Sequence, residues 1–160
     1  MVSIVPAEAN PTSDTTVTFQ VTISEDVTGV DVDDFYTTGS MSSASVLSVT
    51  PQTPSSYLVD VDTGEGEGWL RLDLIDDDSI ISTADEPELL GGPGPFNGDY
   101  ISGTSFSIDR TGPLIESITR DGIGPSTSLP VDYLVKFNEP VDGVDPADFD
   151  VVTTGRISGI

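Results

Sequence analysis

Val21-Thr-Ile-Ser-Glu-Asp-Val-Thr-Gly-Val-Asp-Val-Asp-Asp-Phe35 returns as Val135-Lys-Phe-Asn-Glu-Pro-Val-Asp-Gly-Val-Asp-Pro-Ala-Asp-Phe149, 114 positions later and without a gap. Between Thr15 and Phe35, nine of 21 residues are identical at that offset. Recurrence at a fixed period is the mark of a tandem array, so the thing to explain is a repeated module. The period divides the chain into one complete unit, residues 1–110, and the N-terminal part of a second, incomplete repeat, residues 111–160. A unit of that first size can close a two-layer core unaided. The second stretch holds strand-like runs around Leu114–Thr119, Val131–Phe137 and Phe149–Thr153, then lacks a facing sheet, and needs a partner surface.

Working outward from the block, Thr16-Val-Thr-Phe-Gln-Val-Thr-Ile23 alternates strictly, with Val17, Phe19, Val21 and Ile23 on one face. That period of two defines a half-buried strand with one wet face. Its repeat keeps Val131, Tyr133, Val135 and Phe137 in the same inward parity, and a pleat preserved at every step is a stronger strand signal than either segment alone. Further strands are expected at Val2–Val5, Ser43–Val49, Ser56–Asp62, Trp69–Ile75, Ser79–Ile81 and Ser102–Ile108. Tyr57, Val59 and Val61 point inward on one of these, and Leu70, Leu72 and Leu74 on another. Turn residues separate the runs: Pro51 and Pro54, Gly64-Glu-Gly-Glu-Gly68, Gly91-Gly-Pro-Gly-Pro95 and Asn97-Gly98. Only Val32–Phe35 and Ala84–Leu90 read as short helical pieces. Short strands, regular turns and no βαβ alternation define an all-β antiparallel β-sandwich.

The charge narrows the function classes. Twenty-eight acidic residues face five basic ones, for a net charge of −23. No basic patch is present to neutralise phosphates, which excludes nucleic acid and anionic membrane surfaces as partners. Self-repulsion at this density weakens a compact fold unless salt or cations relieve it. Histidine and cysteine are both absent. Ser-His-Asp and Cys-His nucleophiles, His or Cys zinc sites and disulfides are excluded with them. No apolar run is long enough for membrane insertion, and Met1-Val-Ser-Ile-Val5 has none of the regions of a signal peptide, so any export signal is expected upstream of it. One lysine among many Asp, Thr and Ser suits a secreted or cell-surface protein in a salty or calcium-containing medium, or plain solubility.

Several motifs are familiar as a set: the Ser/Asn-Glu-x-Val-x-Gly-Val-Asp-x-x-Asp-Phe block, Arg71-Leu-Asp-Leu-Ile-Asp-Asp-Asp78, Glu86-Pro-Glu-Leu-Leu-Gly-Gly92 and Ser107-Ile-Asp-Arg-Thr-Gly-Pro113. Together they resemble bacterial Ig-like, cadherin-like tandem repeats of large secreted surface proteins and adhesins. The resemblance covers residues 2–110 and runs on into the second stretch. It implies an immunoglobulin-like sandwich, a bacterial extracellular setting, neighbouring repeats as partners and no catalytic activity. Where such repeats usually carry an Ala-Gly-Asn-Pro-Leu turn, this chain reads Ala84-Asp-Glu-Pro-Glu-Leu89, which adds acid to that turn.

The chemical candidates are carboxylates. Asp76, Asp77 and Asp78, with Asp85 and Glu86 after them, form the densest acidic stretch. Adjacent carboxylates repel, and a hard cation such as calcium relieves the repulsion by taking several oxygens. A solvated acidic turn is the alternative, since no Asp-x-Asp-x-Asp-Gly loop occurs and Asp60-Val-Asp-Thr-Gly64 breaks that pattern at its fifth place. At the junction, Asp109 with Glu25 or Asp121 would hold an ion that stiffens the link, as in cadherin-like arrays; the alternative is a plain acidic hinge. Glu25 and Glu139 are expected to accept backbone N–H groups of the following turn, Gly29 and Gly143 to supply positive φ, and Asp34-Phe35 to act as cap and core plug.

Trp69, the sole tryptophan, falls on the face opposite Leu70, Leu72 and Leu74. There it is either covered by a loop or free to stack on a sugar ring. The sequence therefore leaves two functions open: a calcium-stiffened spacer in an adhesive array, and a carbohydrate-binding accessory module. For residues 111–160 it leaves truncation and strand complementation by another chain.

Overall fold

The computed structural model describes residues 1–122 and 130–152. It is nearly all-β, built from antiparallel sheets in a sandwich. The chain separates into two compact units, Met1–Arg110 and Thr111–Ile160.

In the first unit, one sheet is formed by β1 (Val2–Pro6), β2 (Thr16–Ile23), β5 (Ser45–Thr53) and β6 (Ser56–Asp62), in the order β1-β2-β6-β5. The other comprises β4 (Phe35–Gly39), β7 (Gly68–Leu74) and β9 (Phe106–Ile108), in the order β4-β7-β9. A short pair, β3 (Val27–Thr28) with β8 (Ile81–Ser82), closes one end. The inward parity expected for β2, β6 and β7 holds: Val17, Phe19, Val21, Val59, Val61, Leu70, Leu72 and Leu74 are all buried in one core, with Phe35, Ile80 and Ile108. Each such side chain contributes about 1.5–3 kcal/mol by leaving water. Phe19 of one sheet and Phe106 of the other meet edge to face, with ring centroids 5.0 Å apart and planes at 85°. That geometry suits the aromatic quadrupoles and joins the two layers.

The second unit pairs β10 (Ile115–Arg120) with β11 (Tyr133–Phe137). Its register repeats that of β1 and β2. Ser3↔Thr22, Ile4↔Val21, Val5↔Gln20 and Pro6↔Phe19 become Ser117↔Lys136, Ile118↔Val135, Thr119↔Leu134 and Arg120↔Tyr133, each residue moved by 114 positions. A bulge between Ile115 and Ser117 is the single departure from that ladder, and Glu116 beside it pairs with Lys136.

Several boundaries differ from the sequence expectation. β5 runs on through Pro51 to Thr53, which an edge strand with bulges tolerates. The last strand of the first unit starts only at Phe106, because Gly103 and Thr104 are occupied against Ile4, whose carbonyl accepts the Thr104 N–H at 3.1 Å. β3 and β4 lie outside the strands expected from the sequence. Ala84–Leu90 is not helical: the segment folds back on β8, with Ser82 N–H on the Glu88 carbonyl at 2.9 Å and Leu90 N–H on the Ile80 carbonyl at 3.0 Å. Of the run expected at Phe149–Thr153, Phe149–Val152 form no strand and Thr153 lies outside the described residues. The equivalent β4 pairs with β7, and among the described residues the second unit has no counterpart of β7.

Candidate functional site

The repeated block builds the same local object twice. Val32–Asp34 and Pro146–Asp148 are single 3₁₀ turns, each closed by a reciprocal capping box. In the first, Asp31 accepts the Asp33 N–H at 2.8 Å while Asp34 accepts the Asp31 N–H at 2.7 Å. In the second, Asp145 accepts the Ala147 N–H at 2.7 Å and Asp148 accepts the Asp145 N–H at 2.8 Å. Aspartate suits both places because its short carboxylate reaches orphan N–H groups of a first turn. Gly29 and Gly143 precede these turns with φ of +91° and +80°. The expected amide acceptor, Glu25 or Glu139, is thus replaced by the aspartate pair. Among the described residues the Oε1 of Glu139 is buried with no partner.

Asp34 does more than cap. Its other oxygen accepts the Ser79 hydroxyl at 2.8 Å, tying the turn to the acidic stretch. Burial pushes the Asp34 carboxyl above its ordinary value, against the lowering effect of the Asp31 N–H and the Ser79 hydroxyl. Hydrogen bonds from Ser79 hold the exposed Asp77 below the usual range.

The acidic stretch itself organises the loop from Gly91 to Gly98. Asp76, buried, accepts the Asp78 N–H at 3.2 Å and the Gly98 N–H at 3.1 Å, while its own N–H donates to Asp99 at 2.8 Å. The Asp76 carbonyl accepts the Phe96 N–H at 2.8 Å. Asp78, at φ +69°, takes the Gly94 N–H between both carboxylate oxygens at 3.1 Å. A Gly- and Pro-rich loop forms few ladder bonds of its own, so these carboxylates satisfy donors that would otherwise be stranded.

Asp76 and Asp78 thus accept three part-buried backbone N–H groups, those of Asp78, Gly98 and Gly94. Asp85 and Glu86 sit on the exposed turn after β8. Asp109 follows β9, its N–H on the Thr12 carbonyl at 2.9 Å, and Asp121 belongs to the other unit, with its N–H on the Asp132 carbonyl at 2.8 Å. Among the described residues no group of three or more acidic side chains is disposed to hold an ion.

The outer face of β7 carries the remaining candidate. Trp69 is 45% exposed, as parity required, and Tyr36 on β4 is 57% exposed. Between them Arg71 grips Asp73 through Nε at 2.6 Å and Nη2 at 3.0 Å, with Thr38 donating to the same carboxylate at 2.7 Å. The Asp73 carboxylate also raises the Arg71 guanidinium pKa by hydrogen bonding to it.

Arg110 is the residue that sequence reasoning passed over. Its guanidinium donates to the carbonyls of Gly64 (3.2 Å), Gly66 (2.7 Å), Asp14 (3.2 Å) and Ser13 (3.4 Å), and to the Thr63 hydroxyl. Its backbone N–H reaches Glu67 at 3.1 Å. The last residue of the first unit therefore fastens the β1–β2 connection to the β6–β7 connection. The signal was its place: one of only two bases in the first unit, at the end of a stretch rich in Gly loops, whose carbonyls need donors.

Compared with known proteins, the chain matches no family model, no curated protein and no solved structure.

Proposed function

We propose that this chain is a non-catalytic, extracellular structural and adhesive repeat module, an immunoglobulin-like sandwich that spaces its neighbours in a tandem array. The observation that carries this reading is the register of β1 and β2 recurring in β10 and β11 at the offset of the sequence repeat. Recurrence of both sequence and register is what an array of homologous modules requires. The non-catalytic part rests on chemistry: histidine and cysteine are absent, and the buried carboxylates Asp34, Asp73 and Asp76 are engaged by N–H or hydroxyl donors. Cations enter through the charge of −23, whose self-repulsion they relieve.

Calorimetry in millimolar calcium against sodium chloride of equal ionic strength tests this. Both salts are expected to raise Tm together; a rise confined to calcium, saturating at low occupancy, would establish a discrete site and overturn the screening account. The exposed Trp69 beside Arg71 favours a second reading, a carbohydrate-binding module. Titrating the same samples with soluble polysaccharides is expected to leave Trp69 fluorescence unchanged. A saturable shift that disappears in Trp69→Ala would decide for the rival.

A further inference from the structure

We propose that the loops 13–15 and 63–67 of the first unit form a guanidinium-binding site, which Arg110 fills from within the chain. Filling it hides the Arg110–Thr111 bond from proteases that cleave after arginine. The count of donors and acceptors closes. A guanidinium carries five N–H groups, one on Nε and two on each Nη. Here Nε meets the Ser13 carbonyl, Nη1 those of Gly64 and Gly66, and Nη2 the Asp14 carbonyl and the Thr63 hydroxyl, one oxygen for each donor. All five acceptors are neutral, so they match the planar fork of the group and not its charge alone. Arg71, by contrast, is held by the Asp73 carboxylate.

The acceptors are fixed by bonds of their own. Thr63 is fully buried, its N–H donates to the Thr15 carbonyl at 3.0 Å, and its hydroxyl donates to the Asp14 and Thr15 carbonyls at 3.1 and 3.0 Å. The hydroxyl oxygen is thereby left facing the guanidinium. The Gly64 N–H is held by Asp62 at 2.8 Å. Gly66 has φ of +93°, yet a Cβ there would meet nothing within 4 Å. Crowding does not require glycine at that position; the left-handed backbone that aims its carbonyl at Nη1, 2.7 Å away, does. Carbonyls converging in this way concentrate negative potential that a cation relieves.

Connections between compact units are where proteases usually nick a chain. The stretch Ile108-Asp-Arg-Thr-Gly-Pro113 offers one arginine to such an enzyme. To cut after it, the enzyme must draw the guanidinium into its own specificity pocket. Here every donor of that group is already engaged, and the Arg110 backbone N–H is held by Glu67 at 3.1 Å. The residue before it is held as well, with the Asp109 N–H on the Thr12 carbonyl at 2.9 Å. Cleavage therefore waits for the site to open, and its rate reports how often that happens.

Two measurements on the full chain test this. Arg110→Ala empties the site, and ethylguanidinium at millimolar concentration is expected to raise its Tm saturably, by about 3 °C. Ethylammonium, of equal charge, should give only the shallow, unsaturating rise of ionic screening, as should either ion on the wild type. Equal responses to the two ions in Arg110→Ala would overturn the proposal. Arg110→Lys keeps a residue that trypsin recognises but offers three donors to five acceptors. Well below both melting transitions, the bond after position 110 is expected to be cut about tenfold faster in Arg110→Lys than in the wild type, each rate divided by that of the matching free peptide 107–116. Cleavage no faster than in the wild type would overturn the proposal, even if Arg110→Ala failed to fold. None of these outcomes depends on whether the chain works in an array, so failure here and failure of the repeat-module reading are separable.

Discussion

The two copies of the repeated block form the same turn and meet different fates. Both carry the aspartate capping box and a positive-φ glycine, and the residue after each turn is a phenylalanine in extended conformation. Phe35 is 4% exposed, whereas Phe149 is 38% exposed. A Cβ on Gly29 would stand 2.1 Å from the Ser79 carbonyl oxygen, whereas one on Gly143 would meet nothing within 4 Å. The block therefore writes its own backbone geometry through short-range hydrogen bonds, and burial comes from strands far away in sequence. Conformation is local here, and stability is not.

The comparison can be broken most forcefully at the phenylalanines. Phe35→Ala is expected to cost the first unit about 3–5 kcal/mol in denaturant unfolding, while Phe149→Ala leaves that transition within about 0.5 kcal/mol. Equal losses would mean that the two units share one core. The glycines give the next effect. Gly29→Ala combines a strained φ with a backbone collision and should cost about 3 kcal/mol, against about 1 kcal/mol for Gly143→Ala, which meets φ strain alone. Comparable values for both would show that the turn, not its surroundings, sets the penalty.

The smallest effect is a pH dependence. Burial raises the Asp34 carboxyl above its ordinary 3.8, so the folded state keeps that proton to higher pH than the unfolded chain does. Its contribution is complete below the unfolded value and is lost as pH rises through the folded one. The stability of the wild type relative to Asp34→Asn should consequently grow as the solution is acidified. A difference that shrinks on acidification would mean that the donors from Asp31 and Ser79 outweigh burial.

Strands that alternate were legible from the residues: β2, β6 and β7 need no partner to be recognised, because Val17, Phe19, Leu70 and Leu72 announce their buried face. β4 was not, since Phe35 is its only buried residue and its pairing with β7 makes it a strand. β3 is two residues long and exists through β8. Repetition marked the two stretches and the preserved parity marked β11 as a strand, whereas its register on β10 comes from the structure. The acidic stretch was found as a cluster, but its role depends on the amides of Gly94 and Gly98, which no spacing rule connects to Asp76 and Asp78.

The hold of Arg110 on the loops around Asp14 and Gly64 has a mechanical consequence. β9, the strand before it, pairs with β7 over only three residues, Phe106–Ile108. A pull applied beyond Thr111 would peel so short a strand one bond at a time. With the guanidinium fastened to separate loops, the load spreads across the β1–β2 and β6–β7 connections before β9 is tugged, and bonds loaded side by side yield later than bonds opened in sequence.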